Sequence, residues 1–455
     1  MAANRESVHG MWSSRLMFIL AASGSAVGLG NIWRFPYIAG ENGGGAFVLV
    51  YLGCIALIGI PIMMAEVLLG RAGRQSPINT MRDVALRSGA SRHWALLGWM
   101  GAGAGFMILS FYGVIAGWAM AYIVELGSGA MNGATSESAA QDFADFTGDV
   151  TQVLFWHGLF MLLTIFIVGR GVGDGLERTV KYLMPALFGM LAVLTGYAMT
   201  TGHFGEGLAF LFSFNMDKMS WAGVLVAMGQ AFFTLSLGMG AIMAYGAYMP
   251  KDVSIRSAVT TIALLDTGVA LMAGVVIFPL VFANGLEPSA GPGLMFITLP
   301  LAFGQIAGGQ IFGTLFFVLV TFAAITSSIS LVEPAAAWLV ERAQMTRVKA
   351  AILVGGIAWL LGLGSAFSFN IWQDYKLAGM TFFDLMDFVS NNIMLPVGGM
   401  LIALFCGWVI DSTIARQELG MSEGAFKVWQ TLARFVAPIA VFVVFVATLW
   451  QTATA

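Results

Sequence analysis

Three glycines and an asparagine interrupt the first long apolar run of the chain, Gly24-Ser-Ala-Val-Gly-Leu-Gly30-Asn31. A second run is interrupted in the same manner, by Gln230-Ala-Phe-Phe-Thr-Leu-Ser-Leu-Gly-Met-Gly240. In hydrocarbon, backbone N–H and carbonyl groups released from a helix are costly unless they line a polar site. Freed carbonyls suit a small cation, and N–H groups at a half-helix N-terminus suit a carboxylate. Taken alone, the first run would read as a Gly-x-x-x-Gly packing face. A dinucleotide fingerprint is excluded, because no strand precedes the glycines and no βαβ unit surrounds them. Paired interruptions of this kind point instead to a membrane transporter built from inverted repeats.

The elements that must hold these breaks are membrane helices. Of 455 residues, 58% are hydrophobic and 10% charged, with a mean hydropathy of +0.85. Such a chain has too little charge to cover a water-soluble surface. Apolar runs predict eleven spans near 13–38, 44–70, 94–126, 152–169, 180–200, 220–249, 255–283, 310–341, 349–367, 380–410 and 428–450. The breaks then open two five-span halves, at about 12–200 and 219–411, with an additional span at about 427–451. Of the 21 Lys and Arg residues, all but Arg34, Lys218 and Lys376 fall on the side of the N-terminus. That asymmetry predicts a cytoplasmic N-terminus and an external C-terminus, with the acidic connection 127–150 outside. The run Leu16–Leu29 lacks a small-x-small cleavage site and reads as a retained helix rather than a removable signal. Cys54 and Cys406 both lie in apolar runs and indicate neither a disulfide framework nor a thiolate metal site.

Around the first break the chain reads Gly28-Leu-Gly-Asn-Ile-Trp-Arg-Phe-Pro36 and then Glu41-Asn-Gly-Gly-Gly-Ala-Phe47. Further on come Gly229-Gln-Ala-Phe-Phe-Thr-Leu-Ser-Leu-Gly238, Phe296-Ile-Thr-Leu-Pro300 and Ile325-Thr-Ser-Ser328. In this order the segments strongly resemble the neurotransmitter:sodium symporter family, most closely its bacterial amino-acid transporters. The resemblance implies an all-α fold of inverted five-helix repeats with discontinuous helices 1 and 6. It implies no organic cofactor and two sodium ions as coupling ions. One sodium site would take the carbonyls of Ala26 and Thr234, the side chains of Asn31 and Thr234, a group from the seventh span and the substrate carboxylate. The other would take the carbonyls of Gly24, Val27 and Ala323 with the hydroxyls of Thr326 and Ser327. On its own, Thr326-Ser327-Ser328 would read as hydroxyls bonding back along a helix. The substrate carboxylate would meet the N–H groups near Leu29 and Gly30 and the hydroxyl of Tyr112. Its ammonium would lie among the carbonyls of Ala26, Phe233 and Thr234 and the Ser236 hydroxyl.

Amine-carrying members of that family place an Asp where this chain has Gly28, so amino acids are expected here. The resemblance implies a side-chain pocket lined by Ser25, Ile108, Phe233, Met239 and Leu331, which would hold no acid or base. Burying an unpaired charge there would be expensive, so hydrophobic L-amino acids from Val or Leu to aromatics are the expected cargo. Met239 is flexible and flanked by glycines, which suits a pocket that adapts to several sizes. Asp266 in the seventh span either ligates the first sodium or replaces the chloride that other members bind among groups matching Tyr51, Gln230 and Thr234. Both roles predict chloride-independent transport. For the gates, Arg34 would pair with Asp387 outside, under which Phe233 and Tyr112 form a lid. Inside, Trp12 would plug the pathway and Glu341 would pair with His9 or Arg5.

Rival functions are weaker. Gly420-Met-Ser-Glu-Gly424 fits the G-x-S-x-G pattern but lacks its strand-turn-helix context, and no H-E-x-x-H occurs, so no enzyme is expected. The basic residues are scattered singly, which gives nucleic acid no surface. A substrate sensor that does not transport, or a proton-coupled carrier using Asp266 or Glu333, are the alternatives. The expected location is a bacterial inner membrane, and the expected partners are a hydrophobic amino acid, sodium and lipid.

Overall fold

The computed structural model describes residues 7–214, 219–287 and 293–454. Arg5 and Lys218 lie outside the described residues. Among those described, nine continuous helices are long and apolar enough to cross a membrane: Gly45–Gly73, Arg92–Gly127, Val150–Gly169, Val172–Thr201, Ile255–Ala283, Gly309–Arg342, Arg347–Phe367, Phe382–Val409 and Glu423–Trp450. The first span is a bent pair, Arg15–Ala26 and Gly30–Glu41, with 54° between its halves. The sixth is also divided, into Trp221–Thr234 and Ala241–Ala247, each too short to span alone. These segments coincide with the eleven apolar runs of the sequence.

Helix starts are set by short polar side chains. Ser14, Ser220, Ser254 and Thr346 each accept from an N–H of the first turn, and Thr381 forms a reciprocal box with Asp384. Such caps satisfy N–H groups that the helix itself leaves open. The long third and eighth spans pack along each other, and the eighth lies against the first. This brings Tyr112, Thr326 and Ser327 to the first break. The second half of the sixth span packs on the second span at very close range. A Cβ at Gly70 would fall 2.0 Å from the carbonyl oxygen of Met243, so only glycine fits there.

Two connections are more ordered than the sequence suggests. The acidic segment 127–150 contains the helix Ser136–Gly148, capped by Thr135. The connection after the seventh span carries a helical stretch, Leu294–Gln305, too short to cross a membrane. Its Leu294, Phe296, Leu299 and Phe303 are buried, and Phe296 packs against Trp118, Tyr122 and Phe143. The Gly420–Gly424 run is a turn between two helices. Gly420 ends one in the left-handed region (φ 57°) and Ser422 precedes the next.

Candidate functional site

The first helix stops at Ala26, where Val27 turns extended. Asn31 holds the break from beyond it. Its Oδ1 accepts from the N–H of Gly28 (3.0 Å), and its Nδ2 donates to Asp266, both to the carbonyl (3.0 Å) and to Oδ1 (2.7 Å). Thr234 Oγ1 donates to the same carboxylate at 3.0 and 3.2 Å. The structure thus joins Asn31, Thr234 and Asp266 in one buried cluster and fixes the register of the seventh span, which the sequence leaves open. Tyr51, fully buried, is within electrostatic reach of Asp266. Gln230 donates from Nε2 to the carbonyl of Gly30 (2.8 Å), so the two broken spans are tied directly.

The other oxygen set also converges. Ser327 Oγ lies 3.4 Å from the carbonyl oxygen of Gly24 and 3.3 Å from those of Ser25 and Val27. Thr326 Oγ1 reaches the carbonyl of Ala323 (3.0 Å), and a Cβ at Gly24 would stand 3.1 Å from Thr326 Cβ. Carbonyls and hydroxyls gathered in this way are hard oxygen donors of the kind an alkali cation takes.

Between the breaks lies a small cavity. Ala26, Gly28, Leu29 and Gly30 line it from the first span, and Ile108 and Tyr112 from the third. Phe233, Ser236 and Met239 enter from the sixth, and Ser25, Ser327 and Leu331 also line it, whereas Thr234, expected beside the substrate, turns its hydroxyl to Asp266 instead. Ser330 joins them without having been expected. At one end the N–H of Leu29 faces Tyr112 Oη at 3.4 Å. Gly28 is sterically required, because a Cβ there would sit 2.5 Å from Ser327 Oγ and 3.0 Å from Tyr112 Oη. No ionised side chain lines the cavity.

The unwound stretch of the sixth span needs unusual backbone. Ser236 (φ 55°), Gly238 (φ 81°) and Gly240 (φ 76°) all adopt the left-handed region. Ser236 Oγ bonds the carbonyl of Ser25 (2.9 Å), and the N–H of Gly238 donates to Glu66 Oε1 (2.7 Å). Glu66 is fully buried in the second span and was missed from sequence. A lone acid inside an apolar run was the available signal.

Phe233 covers the outer side of the cavity: a Cβ at Gly30 would meet its ring at 2.9 Å. Arg34 lies over that ring, 4.7 Å from its centre. The direct ion pair expected between Arg34 and Asp387 is not formed within 4.0 Å among the described residues. Asp387 instead accepts from Asn391 Nδ2 (2.6 Å), while the Arg34 guanidinium is held by the aromatic face and acts on Asp387 only at longer range. Toward the N-terminus of the first span, where the inner gate was expected, Trp12 is 2% exposed and donates from Nε1 to the carbonyl of Tyr245 (3.0 Å). Of the two partners considered for Glu341, the structure shows His9, at 2.9 Å. Glu341 also accepts from Ser76 (2.6 Å to N, 2.5 Å to Oγ) and from Asn79 (2.6 Å). Glu333 is bound by Tyr248 Oη (2.5 Å) and by Arg347, an inner ion pair the sequence reading did not assign.

A model of the sodium:neurotransmitter symporter family matches residues 9–134 and 138–455. This chain belongs to that family. It is similar to the uncharacterized sodium-dependent transporter YhdH of Bacillus subtilis (strain 168), with 38% identity over 95% of this chain and 96% of the relative. An uncharacterized sodium-dependent transporter of Haemophilus influenzae is 34% identical over 96% and 98%. Among solved structures it is similar to the crystal structure of MhsT in complex with L-phenylalanine. The identity is 46%, with 96% of this chain and 99% of that chain covered, at a TM-score of 0.89. As a member of the family, the protein is a sodium-dependent symporter of the membrane and not an enzyme. Its fold is the family's, inverted five-helix repeats with broken helices 1 and 6 and an eleventh span.

Proposed function

We propose that the chain carries hydrophobic L-amino acids with two sodium ions by alternating access, without chloride. The observation that carries this reading is the cavity between the two breaks. It offers the Leu29 N–H and Tyr112 hydroxyl to a carboxylate, has no room for a side chain at position 28, and lines its remainder with neutral groups. A zwitterion with an apolar side chain is the small molecule that such a lining leaves no charge unpaired against. MhsT, to which the chain is 46% identical, was crystallised with L-phenylalanine, which supports the same class.

The first sodium would use Ala26, Asn31, Thr234 and Asp266, and the second Gly24, Val27, Ala323, Thr326 and Ser327. Asp266, bonded to Asn31 and Thr234, places a carboxyl group beside Tyr51, where other members would bind chloride, and this supports chloride independence. Arg34, Asp387 and Phe233 form the outer gate, and Trp12 with Glu341 the inner one. The repeats run over about 12–200 and 219–411, with the added span at about 427–451, in an inner membrane with the N-terminus cytoplasmic.

The test is uptake into proteoliposomes across an amino-acid panel, with sodium, proton and chloride gradients imposed separately. Sodium-driven accumulation of Leu, Val or Phe is expected. A best substrate of glycine, proline, lysine or a monoamine would refute the reading.

A further inference from the structure

A chain of hydroxyls ends in the side-chain half of the cavity. Ser330 Oγ donates to the carbonyl of Ser327 at 2.7 Å, and Ser25 Oγ donates to Ser330 Oγ at 2.8 Å. A carbonyl can only accept, so the Ser330 proton must point toward Ser327. Ser330 Oγ is then the acceptor for Ser25, whose own proton is committed in turn. Ser25 Oγ is left with lone pairs and no proton to offer. Both serines line the cavity beside Ile108, Met239 and Leu331, and both are almost fully buried. The pocket therefore presents an oriented side-chain acceptor beside the apolar groups of Ile108, Met239 and Leu331.

We propose that this acceptor selects, among hydrophobic amino acids, those with a single neutral donor on an aromatic ring, an indole N–H or a phenol O–H. The inference rests on the hydrophobic amino-acid reading above. A purely apolar side chain would strip water from Ser25 Oγ and return nothing, whereas a ring donor replaces that water. A charged donor is disfavoured because the cavity holds no carboxylate to pair with it. Serine or threonine could donate, but either would leave the apolar surface of Ile108, Met239 and Leu331 uncovered.

The test is displacement of tritiated L-leucine from the purified protein in sodium by two isosteres, L-tryptophan and 3-(3-benzothienyl)-L-alanine. The second carries sulfur in place of the indole N–H. Tryptophan is expected to bind about fivefold tighter, the worth of one neutral hydrogen bond. In Ser25→Ala that ratio should fall to about one, for want of an acceptor. Ser25→Cys keeps a side chain of similar reach with a weak acceptor and should lower the ratio likewise, which covers an alanine variant that fails to fold. A ratio near one in the unaltered protein, exclusion of both isosteres while leucine binds, or an undiminished ratio in either folded variant would overturn the inference. Failure of leucine and phenylalanine alike to bind in sodium would instead overturn the proposed function.

Discussion

Gly28 and Asp266 set the chemistry of the site one residue at a time. In the proposed function, Gly28 leaves the space through which a substrate carboxylate would approach Tyr112 and the freed backbone. Gly28→Ala would force a methyl against Ser327 Oγ and Tyr112 Oη. Overpacking costs about 1–3 kcal/mol, so leucine affinity should fall by roughly five- to a hundredfold in an equilibrium binding assay. Retained affinity would mean that the carboxylate sits elsewhere. Asp266 bears on the anion. Uptake driven by sodium gluconate should match uptake driven by sodium chloride, and a large loss in gluconate would remove Asp266 as the substitute for chloride. Both positions were legible in sequence because each departs in type from its surroundings, a missing side chain and an acid in an apolar run. Ser330 was not legible. Its role depends on which way a proton points, and that is set by a carbonyl three residues earlier on the same helix.

The broken spans show where reading elements from sequence stops. Their positions follow from glycine runs within apolar segments, since hydropathy and backbone freedom are local properties. What holds the breaks open is not local. Glu66 reaches Gly238 across 172 residues, and Gln230 reaches Gly30 across 200. Glu66→Leu should leave the N–H of Gly238 unpaired in a buried site, at about 1–3 kcal/mol. Sodium-dependent binding should drop at least about tenfold while the protein still elutes as a folded species. Unimpaired binding would show that the glycines alone maintain the unwound stretch. At the inner end, His9→Ala removes one of the donors to Glu341 but leaves Ser76 and Asn79. With Cys54 and Cys406 replaced, Ser76→Cys keeps the Ser76 N–H and Asn79 on Glu341, and its thiol should be labelled faster by a membrane-impermeant reagent from the cytoplasmic side when His9→Ala is added. Equal labelling with and without His9 would assign the closure to other contacts. The outer gate went the other way. The sequence offered Arg34 and Asp387 as opposite charges, but it could not show that Phe233 would hold the guanidinium instead.

For the whole molecule, the proposed stoichiometry fixes how far uphill the cargo can be driven. Two sodium ions and a zwitterion move two charges, worth roughly 4.6 kcal/mol at 100 mV. That supports accumulation of roughly three powers of ten before any chemical gradient contributes. Proteoliposomes clamped at graded potentials with potassium and valinomycin should show the limiting ratio rising about fiftyfold per 100 mV for each net charge carried. A ratio that ignores potential would refute electrogenic coupling. The inner plug bears on the same efficiency from another side. Trp12 is hydrogen-bonded through its own N–H to the carbonyl of Tyr248 and through Nε1 to that of Tyr245. The start of the first span is therefore fastened to the end of the sixth, so releasing cargo inward means parting the two or swinging them together. A tighter fastening would hold back futile sodium leakage and slow each turnover, and a looser one would do the reverse. If Trp12 is the inner plug proposed above, the same pair of carbonyls bears on both turnover and leakage.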